Sequence, residues 1–189
     1  MNLLELFLIA IGLSMDAFAV AICIGLSMQE KSIGKALIVG LYFGIFQALM
    51  PLIGYFFGIQ FSDKITAYDH WIAFVLLGFI GAKMIKESIF DPETCPSSTS
   101  SSLSFKTMFP LSIATSIDAL AVGISFSFFN VNIALSALLI GLVTLFFSMI
   151  GVKIGNIFGL KVKKRAELAG GIILILIGLK IVLEHTGIL

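Results

Sequence analysis

The chain has 189 residues, of which 59% are hydrophobic and 12% are charged. A soluble domain is about 45–50% apolar and about 25% charged, so this composition excludes a water-soluble protein and predicts an integral membrane protein. Twelve basic and eleven acidic residues leave no long basic stripe apart from the cluster at 161–165, so no nucleic-acid partner is expected.

Six apolar segments follow one another along the chain, and each is long enough to cross a bilayer as a helix, which takes roughly 20 residues. None shows the alternation of a membrane strand, and a bilayer admits only helices or closed barrels. The sequence therefore predicts an all-α membrane protein of six transmembrane helices. Their approximate ranges are 3–28, 33–59, 67–89, 107–129, 132–158 and 166–185.

A Ser-rich stretch over residues 91–106 separates the third segment from the fourth. It cannot bury enough apolar surface to order itself, so we expect a cytoplasmic linker between two halves, 1–90 and 107–189. The chain has two cysteines, Cys23 and Cys95, which make no disulfide framework, and we expect them to be unpaired.

The two halves repeat one another, one segment at a time. At offsets of 102, 101 and 97 residues, Asp16 falls on Asp118, Gly54 on Gly155, and Lys83 on Lys180. Because a unit with an odd number of helices inserts its second copy upside down, the sequence predicts two inverted three-helix repeats. That plan is typical of secondary transporters, whose sites lie at the midplane where the repeats meet.

Basic residues concentrate in the first, third and fifth loops, at Lys31, Lys35, Lys86, Lys106 and residues 161–165. The second loop has one lysine and the fourth has none. By the positive-inside rule, the odd-numbered loops are cytoplasmic and both termini lie outside.

One aspartate lies near the middle of the first apolar segment and one near the middle of the fourth, Asp16 and Asp118. A carboxylate at the bilayer centre costs on the order of 3 kcal/mol, so a compensating role is expected. Small residues form a stripe on one face of each helix: Ala10, Ser14, Ala17, Ala21 and Gly25 in the first, and Ser112, Ser116, Ala119, Gly123 and Ser127 in the fourth. If helices 1 and 4 cross along these stripes, the two carboxylates can converge on one central cavity.

Two converging carboxylates suit a divalent cation or a shared proton. The hydroxyls of Ser14 and Ser116 and the amide of Gln47 are further hard oxygen ligands, suited to Mg²⁺, Ca²⁺ or Mn²⁺. Each of these three polar residues has an alternative role as a hydrogen-bonding residue in helix packing. The aspartate pair itself has the alternative role of a buried hydrogen-bonding device.

Each half also places a lysine four residues before a glutamate, Lys83 with Glu87 and Lys180 with Glu184. We interpret these as interfacial lysines that form local ion pairs on one helical face. The alternative is that the lysines act as movable counter-ions to Asp16 and Asp118 when no cation is bound.

Five motifs follow one another along the chain: Ser-Met-Asp-Ala-Phe-Ala at 14–19, Met-Pro-Leu-Ile-Gly at 50–54, and the runs at 70–77, 115–123 and 166–171. Together they resemble the MntP family of bacterial manganese efflux pumps. The resemblance implies a six-helix exporter of the bacterial plasma (inner) membrane that lowers cytoplasmic Mn²⁺. Mn²⁺ is then the transported substrate, no cofactor is implied, and Asp16 and Asp118 are functional residues. Some relatives carry an acidic residue where this chain has Gln47, which leaves the ligand set open.

We therefore expect a secondary transporter that exports Mn²⁺ by cation/proton antiport, and not an enzyme. Its partners are Mn²⁺, H⁺ and the lipid bilayer, with no obligatory protein partner. Export of another divalent cation or of a small organic solute is the alternative. An intramembrane aspartyl protease is a remote one, because its paired sites do not arise from two near-identical repeats.

Overall fold

The computed structural model describes residues 3–28, 32–62, 69–90, 103–129, 131–158 and 160–185. This part of the chain is helical and contains no strand. Its seven helices are α1 (Leu3–Ser27), α2 (Ile33–Ser62), α3 (Asp69–Phe90), α4 (Phe105–Thr115), α5 (Ile117–Phe126), α6 (Ile133–Phe158) and α7 (Leu160–His185). Most of the predicted linker, residues 91–102, lies outside the described residues.

Three helices of the described part, α1, α2 and α6, are long and apolar enough to cross a membrane. The bent pair of α4 and α5 makes a fourth span if it is counted as one. Within α7, the stretch Leu168–Leu179 is apolar. The architecture is that of a multi-pass helical membrane protein.

The fourth apolar segment forms two helices instead of the one expected, and α4 and α5 meet at a 40° bend. Ser116 lies at the junction with φ −102° and ψ 3°, and its amide donates to Ile113 O at 3.0 Å, one residue short of the α-helical partner. The carbonyl of Ser112 loses that amide. It accepts the hydroxyls of Ser116 at 2.6 Å and Thr115 at 3.2 Å instead. Side-chain hydroxyls therefore stabilise the break.

The corresponding stretch of the first segment is continuous, because α1 passes through Ser14 and Asp16 without interruption. The two copies of the repeated Ser-x-Asp sequence therefore have different backbone conformations.

The small-residue stripes pack across the two halves, but not against each other. Gly25 of α1 lies against Val152 of α6, and Gly123 of α5 lies against Pro51 of α2. Helix α1 packs chiefly against α6 and α7, whereas α5 packs against α2. The main contacts of α1 are therefore with helices other than α4 and α5. Glycines on α6 and α2, among them Gly155 and Gly54, offer the backbones of α1 and α5 a closer approach.

Helices α2 and α6 are antiparallel. The contacts run in opposite directions along the two helices: Gly40 lies against Met149, Gly44 against Leu145, and Ala48 against Gly141. Two glycines facing each other at this crossing, Gly44 and Gly141, let the backbones approach closely.

Helices α3 and α7 form a second pair of the same kind. Gly81 of α3 lies against Gly171 of α7, and Gly178 of α7 lies against Phe74 of α3. The numbers again run in opposite directions, so this pair is antiparallel too. Each helix pair thus joins one half of the chain to the other.

The structure differs from the sequence expectation at Cys23, which is buried in α1 and disulfide-bonded. The expectation of an unpaired thiol is wrong for this residue. The other cysteine, Cys95, lies outside the described residues.

Candidate functional site

Asp118 lies in the first turn of α5, directly after the helix break, and only 9% of its surface is exposed. Its Oδ1 accepts the Ala119 amide at 2.8 Å. Its Oδ2 is buried and has no hydrogen-bond partner. The carboxyl group therefore keeps one oxygen available for a ligand, at a helix N-terminus that favours negative charge.

Two charged side chains from other helices interact electrostatically with Asp118: Asp16 of α1 and Lys83 of α3. Asp16 is half-buried, and Lys83 is exposed. The structure thus brings the two predicted aspartates into one electrostatic neighbourhood and adds a lysine to it. The counter-ion role of Lys83 stays a prediction.

Gln47 of α2 is fully buried and connects two helices. Its Nε2 donates to the carbonyl oxygen of Leu13 in α1 at 3.0 Å, one residue before Ser14. Its Oε1 is buried without a hydrogen-bond partner. Gln47 therefore has a packing role through its nitrogen and a free acceptor oxygen for a ligand.

Ser14 and Ser116 are also fully buried. Their hydroxyls donate to carbonyls of their own helical segments, Ile11 at 2.8 Å and Ser112 at 2.6 Å. Both serines therefore form the hydrogen bonds of the alternative role stated above, that of a polar residue in helix packing. Each hydroxyl oxygen keeps acceptor capacity.

Two polar residues of α6 were missed by the sequence reasoning, Thr144 and Ser148. Both are fully buried, and neither hydroxyl has a hydrogen-bond partner. The repeat contains a signal for one of them, because the offset of 101 that relates the second helices places Gln47 on Ser148.

The side chains of Glu87, Lys180 and Glu184 lie outside the described residues, so the predicted ion pairs of both lysines stay predictions. Within the part that the structure describes, no group of three or more His, Cys, Asp or Glu side chains is placed to hold a metal ion.

Four buried oxygens without a partner occur in the described part of the chain: Oδ2 of Asp118, Oε1 of Gln47, Oγ1 of Thr144 and Oγ of Ser148. Leaving such a group unsatisfied costs about 1–3 kcal/mol, so each of these four oxygens calls for an explanation. Ionisable side chains inside a membrane-spanning bundle mark ion pathways. Fold and site together define the class as a multi-pass membrane protein with a polar transport-type interior.

Comparison with known proteins gives the family. The family model described as "Mntp: Putative manganese efflux pump" matches residues 30–182. The chain belongs to this family of membrane transport proteins.

Curated relatives match over almost their whole length. A "Putative manganese efflux pump MntP" from Desulfitobacterium hafniense is 60% identical over 100% of this chain and 98% of the relative. Proteins with the same name from Mannheimia succiniciproducens and Acetivibrio thermocellus are 55% and 53% identical. The match to the first covers 98% of this chain and 98% of the relative, and the match to the second covers 100% of this chain and 94% of the relative. No solved structure matches the chain.

Proposed function

We propose that the protein is a secondary transporter that exports Mn²⁺ from the cytoplasm through a site built on Asp16 and Asp118. The observation that carries this proposal is the electrostatic pairing of these two aspartates inside a chain that is similar throughout to manganese efflux pumps. Carboxylate, amide and hydroxyl oxygens are ligands that suit Mn²⁺. No zinc-type or copper-type ligand cluster competes with them in the described part of the chain.

In this proposal the Asp118 and Asp16 carboxylates supply the charge, and neutral oxygens complete the coordination. The free Oε1 of Gln47 is the first of these, because its amide nitrogen is already held by Leu13 O. Ser14 and Ser116 contribute through their remaining lone pairs. Anchoring Gln47 at one end holds its oxygen in place for the ion.

The proposed architecture is six spans arranged as two inverted three-helix repeats. The glycine contacts support it: with an offset of 101, the contact of Gly40 with Met149 becomes the contact of Gly141 with Ala48, and Gly44 falls on its own partner Leu145. With an offset of 97, the contact of Gly81 with Gly171 becomes that of Gly178 with Phe74. Reciprocal contacts between antiparallel copies are what a two-fold axis in the membrane plane produces.

Alternating access follows from the difference between the copies. One repeat has a continuous helix α1 through Ser14, and the other has the break at Ser116. We propose that these two conformations correspond to the two sides of the transport cycle, with both termini outside and the membrane being the bacterial plasma membrane.

Proton exchange and Lys83 balance the charge of the site in this proposal. When Mn²⁺ leaves, two carboxylates that repel each other remain, and this repulsion favours uptake of a proton. The Lys83 ammonium interacts with Asp118 and offsets part of the remaining charge. A pH gradient would therefore drive export by exchange of Mn²⁺ for H⁺.

The test is Mn²⁺ uptake into everted membrane vesicles, which corresponds to efflux from the cell. We compare wild type with Asp16→Asn and Asp118→Asn, which keep side-chain shape but remove charge. Both are expected to lose transport by at least an order of magnitude, because each removes a full carboxylate from the site. Normal expression level and an unchanged melting temperature in detergent are the controls for folding.

Competition with Fe²⁺, Cd²⁺ and Mg²⁺ in the same vesicles measures selectivity. Full transport by either variant would refute a role for that carboxylate in binding. Wild-type vesicles that carry no Mn²⁺ at all would refute manganese export itself.

A further inference from the structure

We propose that Thr144 and Ser148 of α6, together with Oε1 of Gln47, form a neutral oxygen cluster that contacts the transported divalent cation and sets its selectivity. This inference rests on the proposed export of Mn²⁺. It adds α6 to the set of helices that supply ligands to the ion.

The two hydroxyls are exceptional among the buried hydroxyls of the described residues. A buried Ser or Thr in a helix ordinarily donates to a carbonyl three or four residues earlier, which satisfies the hydroxyl. Eight described hydroxyls do so: those of Ser14, Ser27, Ser112, Thr115, Ser116, Ser125, Ser127 and Ser136. Thr144 and Ser148 do not, although both are fully buried.

The position of Thr144 and Ser148 relates them to Gln47. Thr144 lies between Gly141 and Leu145, the α6 residues that pack on Gly44 and Ala48 of α2. Gln47 lies in the same short stretch of α2. The α2–α6 crossing thus contains three of the four buried oxygens that have no partner in the described part of the chain.

Helix α1 completes the junction around this cluster. Gly151, three residues after Ser148, packs so closely on α1 that a methyl group at this glycine would lie 2.8 Å from the carbonyl oxygen of Phe18. Gln47 reaches α1 as well, through its bond to Leu13 O. The neutral cluster therefore lies where α1, which carries Asp16, meets the antiparallel pair α2 and α6.

The chemistry of the cluster selects its ligand. It has three oxygens, no formal charge and, among described residues, no thiol or imidazole. Neutral oxygens bind a hard divalent cation more weakly than carboxylates do, and they replace part of its water shell. A path needs sites that are attractive enough for the ion to enter and weak enough for it to leave. A hydroxyl and amide cluster next to a charged pair meets both conditions.

The experiment measures initial rates of Mn²⁺ uptake into everted vesicles for Thr144→Val and Ser148→Ala. Each is expected to raise the KM for Mn²⁺ roughly tenfold, the size of effect typical of a lost group around a metal, with a smaller change in maximal rate. Thr144→Ser, which keeps the hydroxyl, is expected to restore the wild-type KM. The matched control is Ser136→Ala on the same helix, because Ser136 is also buried but its hydroxyl is bonded to Asn132 O at 3.0 Å.

A gain of selectivity provides an independent test. Ser148→Cys replaces a hard oxygen by a soft sulfur of similar size, and soft ligands favour Cd²⁺ over Mn²⁺. Inhibition of Mn²⁺ uptake by Cd²⁺ is expected to strengthen at least roughly tenfold relative to wild type, and Ser136→Cys is expected to leave it unchanged.

The outcomes separate the two proposals. If wild type transports Mn²⁺ while Thr144→Val and Ser148→Ala match Ser136→Ala, and Ser148→Cys shows no Cd²⁺ effect, the cluster does not contact the ion. If Thr144→Val fails to fold, the comparison of Ser148→Cys with Ser136→Cys still tests whether the cluster contacts the ion. If wild type does not transport Mn²⁺, the proposed function fails and this inference fails with it.

Discussion

The substitution Gly141→Ala tests how closely α2 and α6 pack at their crossing. Gly141 is buried, and a methyl group there would lie 2.8 Å from both Ala48 Cβ and Gly44 O. Ordinary van der Waals contact begins at 3.4 Å. Because Gly44 O belongs to the backbone, α6 has to move away from α2 by roughly half an ångström at this point.

The magnitude follows from two opposing effects. Overpacking a tight contact costs about 1–3 kcal/mol. Replacing Gly by Ala inside a helix stabilises the helix by up to about 1 kcal/mol, because Ala has the higher helix propensity. Gly78→Ala is the matched control, since Gly78 also lies inside a helix and a methyl group there would meet nothing within 4 Å. The difference between the two variants is therefore the overpacking cost alone.

The assay is thermal unfolding of both purified variants in the same detergent. A difference of 1 kcal/mol corresponds to about 2–4 °C for a chain of 150–250 residues, so Gly141→Ala is expected to melt several degrees below Gly78→Ala. Transport should also fall, by about tenfold, because Thr144 lies one turn away and sub-ångström displacement of a binding group is costly. Equal melting temperatures and equal transport in the two variants would refute the close α2–α6 contact.

Two further predictions concern the charged pair and the helix break. Lys83→Met is expected to lower the KM for Mn²⁺ about two- to fivefold and to slow maximal transport. The effect on KM is small because an exposed ammonium offsets the charge of the aspartates by no more than about 1 kcal/mol. Lys86→Met on the same helix is the control, and identical kinetics for the two variants would exclude a counter-ion role for Lys83. Ser116→Ala removes the hydroxyl bond to Ser112 O and is expected to cost about 1 kcal/mol in thermal unfolding. Ser125→Ala, which removes a 3.2 Å bond inside regular helix, should cost less, and a larger loss there would contradict the proposed support of the break.

The sequence alone determined the class of protein and the position of its charges. Composition and the length of the apolar segments are local properties, and a bilayer converts them directly into helices. The repeated aspartates Asp16 and Asp118 stood out because an intramembrane carboxylate is expensive. The same reasoning found Gln47, which the structure buries completely.

Tertiary structure alone decided which helices meet. Most of these helices are apolar on every side, so hydropathy does not say which face meets which partner. The stripe of small residues on α1 was correctly identified as a packing surface, but it packs on α6 instead of the fourth segment. Partner choice depends on how closely two backbones can approach, which is a property of both surfaces together.

The break at Ser116 and the hydroxyls of Thr144 and Ser148 also needed the structure. The two Ser-x-Asp motifs are alike in sequence, yet one lies in a continuous helix and the other follows a break. Hydroxyls that turn away from their own helix cannot be told in a sequence from hydroxyls that bond to it. Local physics thus determines the helices and the charges from the sequence, whereas the environment of each polar oxygen depends on the neighbours that three-dimensional packing supplies.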